Sequence, residues 1–169
     1  MEPSGTSGPK APERPAAPAR RVAAELQLFC LQLLGARYAV EASLVSEVVR
    51  LGPLTRLPAA PTFLRGVFNH RGEVLAALDL HLLVGQPALK IGPATRAAIA
   101  RLGRFRVAVL TESVEGLVSV LVARIEPSPG VGSGISEFVS GVTRDPKGPI
   151  AILDLPKLVD TARSRSLAG

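Results

Sequence analysis

The sequence predicts an all-β fold of two similar, intimately packed lobes with short helices, one of them C-terminal, and three observations predict it. Glycine (16) and proline (15) are abundant for a chain of 169 residues, which excludes a helical bundle and suits many short strands joined by turns. From Glu25 onward the apolar residues come in short runs broken by turn residues. Residues 63–84 also lie on residues 138–159 at a constant offset of 75, with nine of 22 positions identical, among them Phe63/Phe138, Gly66/Gly141, Leu78/Leu153 and Asp79/Asp154. Only about two identities are expected by chance in a chain of this composition. Two copies are too few for a solenoid, and each is too small to bury a core alone, so the copies must pack together.

Residues 1–21 carry five prolines and no Val, Ile, Leu or Phe, so this stretch has nothing to bury and is expected to be a disordered basic tail. Leu26 to Leu34, the Gly35-Ala36 turn and Arg37 to Val40 form a first hairpin, and Ala42 to Arg50 reads as one helical turn followed by a strand. Prolines 53, 58 and 61 force a loop. Phe63 to His70, the turn Arg71-Gly72 and Glu73 to Leu78 form a second hairpin, closed by Asp79 before the apolar run Leu80 to Val84. After a linker, Thr95 to Leu102 and Phe105 to Thr111 flank Gly103-Arg104 as a third hairpin. Strands follow at Leu117 to Val122, Phe138 to Thr143 and Pro149 to Leu153. Leu155, Leu158, Val159 and Ala162 then recur at helical spacing. Such hairpins imply antiparallel pairing throughout.

The chemistry of enzymes is missing from this pattern. Asp79 and Asp154 end equivalent strands, but each precedes a short helix, so both read as N-caps rather than paired catalytic acids. His70 and His81 have no metal-ligand spacing and Cys30 is the single cysteine, so neither a metal site nor a disulfide framework is expected, and no cofactor motif is present. The alternation Leu26, Leu28, Cys30 reads Cys30 as a buried, inert thiol. Gly130 to Gly134 matches no phosphate-binding or nucleophile-elbow pattern and reads as a flexible loop. The net charge of +6 and the cluster Arg96, Arg101, Arg104 and Arg106 leave a basic β-barrel module binding nucleic acid as an alternative. Interleaved aromatics are lacking, and a solvated hairpin edge accounts for the same cluster. The longest apolar run, Leu117 to Ala123, is interrupted by Ser119 and too short to insert in a bilayer. Arg71 sits on a tight turn closed by Gly72 in only one of the two repeated hairpins, with Asn69 beside it, which displays a cation toward an acidic protein surface.

The string Phe63-Leu64-Arg65-Gly66-Val67-Phe68-Asn69-His70-Arg71-Gly72, continued to Leu78-Asp79-Leu80, resembles the CheW family of chemotaxis coupling proteins. The likeness extends through Leu28 to Val40, Val45-Ser46-Glu47-Val48, Leu54 to Pro58, Ala98 to Gly116 and the connector Ile125 to Gly130. It departs from the usual pattern at His70, Ala76 and Glu112. The resemblance implies two five-stranded SH3-like β-barrels in one domain over residues 22–169, with interleaved lobes at roughly 37–92 and 93–155 plus the N-terminal strand and C-terminal helix. It implies a non-enzymatic adaptor between the cytoplasmic tip of a methyl-accepting chemoreceptor and the CheW-like regulatory domain of a histidine kinase. Such an adaptor works in the cytoplasm, recruited to receptor arrays, in flagellar chemotaxis or another chemosensory pathway. By the same resemblance Val45, Glu47, Asn69 and Arg71 lie on partner-binding surface, with Arg56 and Arg65 as further candidates. Gly66 and Gly72 instead fix the backbone. No cofactor or nucleic acid is implied.

Overall fold

The computed structural model describes residues 5, 8–13 and 22–168. Most of the expected disordered tail lies outside the described residues. Eleven strands and two α-helices follow in order. These are β1 (Glu25–Leu33), β2 (Ala36–Glu41), β3 (Val45–Arg50), β4 (Leu64–His70), β5 (Glu73–Asp79), α1 (Leu80–Leu83), β6 (Arg96–Leu102) and β7 (Phe105–Thr111). Then come β8 (Ser113–Leu121), β9 (Glu126–Pro127), β10 (Val139–Asp145), β11 (Gly148–Leu153) and α2 (Leu155–Leu167). A 3-10 turn at Ala42–Leu44 precedes β3, and another at Gly134–Phe138 occupies the end of the segment expected to be loop, so β10 starts one residue later than the pattern suggests.

Two sheets form, a five-stranded one in the order β3-β6-β7-β5-β4 and a six-stranded one in the order β8-β1-β2-β11-β10-β9. Apart from the two-residue β9, the orders match strand for strand. The chain repeats one unit twice: a hairpin, a single strand, a second hairpin and a helix. In each copy the single strand leaves the sheet of the hairpin before it. Only residues 42–44 separate β2 from β3, and only Glu112 separates β7 from β8, so the chain passes directly from one sheet into the other. Strand β3 therefore pairs with β6 of the second copy, and β8 pairs with β1 of the first.

This exchange corrects two expectations. The lobes are not 37–92 and 93–155. One takes the continuous span 45–111, while the other combines β1 and β2 with the strands from β8 to β11. Nor is pairing wholly antiparallel. Ala77 and Leu78 of β5 pair with Ala108 and Val109 of β7 in parallel, and Ala151 and Ile152 of β11 do the same with Tyr38 and Ala39 of β2. Within each sheet two hairpins meet through their second strands, which run in the same direction.

The apolar side chains divide into three cores. Phe68, Leu75, Ile99 and Leu110 fill the five-stranded lobe, and Leu28, Cys30, Ile150 and Ile152 fill the other. The largest cluster lies between the lobes, where Phe29, Leu31, Val40, Leu78, Val109 and Leu153 meet Leu155 and Leu158 of α2. Strand β1 is buried on both faces because it serves both cores, Leu28 and Cys30 inward and Phe29 and Leu31 toward the other lobe. Burial pushes the Cys30 thiol above its ordinary range, which keeps it protonated and unreactive.

The glycine shared by both repeats marks a close backbone approach. Thr55 and Val67 exchange both backbone hydrogen bonds at 2.8 Å, and Gly66 beside them has φ +147°, so an added Cβ would sit 2.6 Å from the Thr55 carbonyl oxygen. In the second copy β9 makes the corresponding approach, pairing Pro127 with Gly141 and Glu126 with Val142. The connector reading of Ile125 to Gly130 overlooked this strand, because two residues carry no periodicity. A Cβ on Gly141 would meet the Ile125 Cγ2 at 2.8 Å, a side chain that can shift. Gly66→Ala is therefore expected to lower stability by about 2–4 kcal/mol, and Gly141→Ala by less, in paired urea melts. Equal losses would mean that the Thr55 approach is not rigid.

Arg37 of β2 closes the far end of the six-stranded lobe. Its guanidinium donates to both Asp145 oxygens at 2.8 Å and to Glu115 at 2.9 Å, tying the β10–β11 turn to β8. Those bonds hold Asp145 down at about 2, lower Glu115, and raise Arg37. A carboxylate depressed in the folded state contributes stability that is complete above its unfolded value of 3.8 and lost as pH falls toward 2. With Asp145 still 12% exposed, the contribution is at most about 2 kcal/mol. Wild type and Asp145→Asn are thus expected to differ in melting temperature at pH 5 and to converge near pH 2.

Candidate functional site

The equivalent end of the five-stranded lobe is built from the same kinds of residue but does not close on itself. Arg106 is the second residue of β7, as Arg37 is of β2, and both face the end of their barrel. Arg106 pairs with Glu73 and lies 3.6 Å from Glu47. Glu47 follows a bulge that shifts the β3–β6 register between Val45 and Glu47. From there its carboxylate reaches His70 Nε2 at 3.1 Å and Arg71 Nη1 at 3.4 Å. The His70 contact is close but not aligned as a hydrogen bond, which leaves that buried nitrogen without one.

The two ends differ in how far their arginines are exposed. In the six-stranded lobe Arg37 is held by two carboxylates with 12–19% exposure. In the other, two arginines and a histidine face Glu47 and Glu73, and Arg71 is 79% exposed. Arg71 has φ +52° and Gly72 has φ +84°, a pair of left-handed residues that makes the tight turn joining β4 and β5. The Asn69 side-chain oxygen accepts the Gly72 amide at 3.0 Å and fixes the turn. Val74, 65% exposed on β5, adds an apolar contact beside it.

The structure therefore gathers Glu47, Asn69 and Arg71 at one end of one lobe and adds His70, Glu73 and Arg106. Val45, two residues before Glu47, pairs with Ala100 and packs half-buried against the inter-lobe core. Arg56 and Arg65 lie elsewhere, on a cleft of about 340 Å³ with Leu57 and Pro61. Arg56 is exposed there. Arg65, half-buried in the wall of that cleft, is engaged within the fold. It donates to the fully buried Asp79 at 2.7 Å and to the Leu89 carbonyl at 3.1 Å.

Asp79 gathers three further donors, the amides of His81 and Leu89 at 3.0 Å and of Leu82 at 3.4 Å, so it caps α1 and anchors the following linker. Asp154 accepts the Lys157 amide alone, at 3.0 Å, at the start of α2. Of the four clustered arginines, Arg96 donates to the Pro93 and Thr95 carbonyls and Arg106 is ion-paired, so the cluster does not act as one phosphate grip. The sequence singles out Arg106 only within the basic cluster and Glu73 not at all. Their signal was the place of Arg106 opposite that of Arg37, visible only once the strands are matched. No helix among the described residues is long and apolar enough to cross a membrane.

Comparison with known proteins gives a consistent family. The CheW-like domain model matches residues 27–163. Protein FrzA of Myxococcus xanthus is 39% identical over 158 residues, covering 90% of this chain and 99% of the relative. Chemotaxis protein CheW of Treponema pallidum is 24% identical over 150 residues, 86% of this chain and 88% of that one. The crystal structure of scaffolding protein TtCheW from Thermoanaerobacter tengcongensis superposes with a TM-score of 0.72 at 24% identity, over 80% of this chain and 92% of that chain, a likeness of fold.

Proposed function

Since the chain belongs to the CheW-like domain family, we propose that it is a non-enzymatic adaptor coupling a chemoreceptor's cytoplasmic tip to the CheW-like regulatory domain of a histidine kinase. It would act in the cytoplasm at receptor arrays. The observation that supports this docking role is the unequal exposure of the arginines at the two barrel ends. One end holds Arg37 shielded between two carboxylates, while the other holds Arg71 outward and largely exposed. An exposed guanidinium on a stiff turn loses little freedom on binding and offers a planar fork to a partner carboxylate. Glu47 and Asn69 orient it, and Val74 borders it with apolar surface.

The experiment is a titration of the full chain against the receptor tip and the kinase regulatory domain of the same cell, each separately, followed by kinase autophosphorylation with receptor present. Binding to both, and receptor control of the kinase only when the chain is added, is the expected result. Binding to neither, together with binding to duplex DNA that weakens steeply with salt, would replace this reading by the nucleic-acid one.

A further inference from the structure

A second recess lies where α2 meets the five-stranded sheet. It is a groove of about 380 Å³ whose floor is Leu64, Leu78 and Val107 and whose wall is Ala162 of α2. Its lips are Phe105, 49% exposed at the β6–β7 hairpin, and Leu167, 85% exposed at the end of α2. The Arg163 guanidinium stacks 4.0 Å from the Phe105 ring centre, so the ring is held upright at the rim.

The charges around this recess narrow what can fill it. Arg104, exposed in the hairpin turn beside Phe105, has no acidic partner among the described residues. Arg163 has only the surface contact with Asp160 at 3.5 Å. The stem of Arg106 lines the groove while its head is engaged at the barrel end. The chain's own tail, with Lys10, Arg14, Arg20 and Arg21, has the wrong charge to fold back here, and a second copy of a +6 chain is disfavoured for the same reason. An anionic bilayer calls for a cluster of about four to eight basic residues, more than this rim offers, and meets a recess poorly. The wall is a helix of 13 residues, about 20 Å long at 1.5 Å per residue, matching a few turns of a partner helix.

We propose that this groove receives an acidic amphipathic helix of a partner protein, seating a large apolar side chain between Phe105 and α2 while its carboxylates meet Arg104 and Arg163. The contact is separate from the Arg71 turn and holds whether or not that turn meets a receptor or a kinase.

The probe is a short synthetic helix with leucines on one face and glutamates on the other, titrated into the full chain and followed by amide NMR shifts. A lysine-for-glutamate version of the peptide and mixed phosphatidylcholine–phosphatidylglycerol vesicles serve as comparisons. The glutamate peptide is expected to move the amides of Phe105, Ala162 and Leu167 and to leave Arg71 in place. Phe105→Ser and Arg163→Glu are each expected to weaken it roughly tenfold, as for a central interface residue. Leu167→Asp, at the exposed helix end, gives the same reading should Phe105→Ser lose its native spectrum. The proposal fails if the lysine peptide binds equally, if the shifts fall elsewhere, if vesicles bind and the peptide does not, or if the folded variants bind like wild type.

Discussion

Asp79→Ala is expected to cost about 3–5 kcal/mol of folding stability, because it removes a fully buried carboxylate on which an arginine and three amides converge. The Asp79 carboxylate is fully buried and accepts from Arg65 and from three backbone amides. Alanine leaves the Arg65 guanidinium without its acid and the Leu89 amide buried without an acceptor. Asp154→Ala, which removes one amide acceptor at an exposed cap, is expected to cost about 1 kcal/mol. Asp79→Asn keeps the cap and loses the charge, so its loss should lie between the two. Urea melts of the three variants check this order. Equal losses for the two alanine variants would show that Arg65 adds nothing to the cap. Since ordinary domains hold only about 5–15 kcal/mol in reserve, Asp79→Ala will expose any second weakness in the fold.

The contrast between the two aspartates shows where sequence reasoning stops. Their place before a short apolar helix follows from local pattern, as do the hairpins, since turn residues and alternation act over a few positions. Arg65 could not be assigned in the same way. Alternation along β4 puts it on one face with Val67 and Asn69, but a bulge between Leu64 and Gly66 re-aims the strand start, so Arg65 meets Asp79. The exchange of strands between lobes was equally hidden. Apolar residues on both faces of β1 announce burial on two sides, but nothing in that run says that β8 rather than β3 pairs with it. That choice shows only in the pairing itself, β1 with β8 and β3 with β6, between strands distant in sequence. Arg71 was legible because it differs between two copies of one hairpin. Glu47 entered only through the family resemblance, and its contacts with Arg71 and Arg106 were not legible, because Glu47 and Arg106 arrive from strands distant in sequence.

Arg71→Asn is expected to leave stability unchanged or slightly raised while weakening receptor or kinase binding by about 2 kcal/mol or more, some thirtyfold, if this turn is a centre of the interface. The fold has little use for the arginine. Its side chain is 79% exposed and its ion pair with Glu47 is 3.4 Å long, a contact that typically contributes less than about 1 kcal/mol in solvent. Its φ of +52° is a conformation that asparagine adopts more readily, and Asn-Gly suits the tight turn better than Arg-Gly. Stability and binding should therefore move apart, which a structural role for Arg71 cannot produce. Glu47→Gln tests how the guanidinium is aimed. If the carboxylate acts by positioning Arg71, it weakens binding alone but adds nothing to Arg71→Asn in the double variant. Additive losses would instead place Glu47 in direct contact with the partner. Thermal melts with separate titrations of the receptor tip and the kinase domain read all four species of the cycle. If both affinities stay at the wild-type value in Arg71→Asn, the docking site lies elsewhere on the domain.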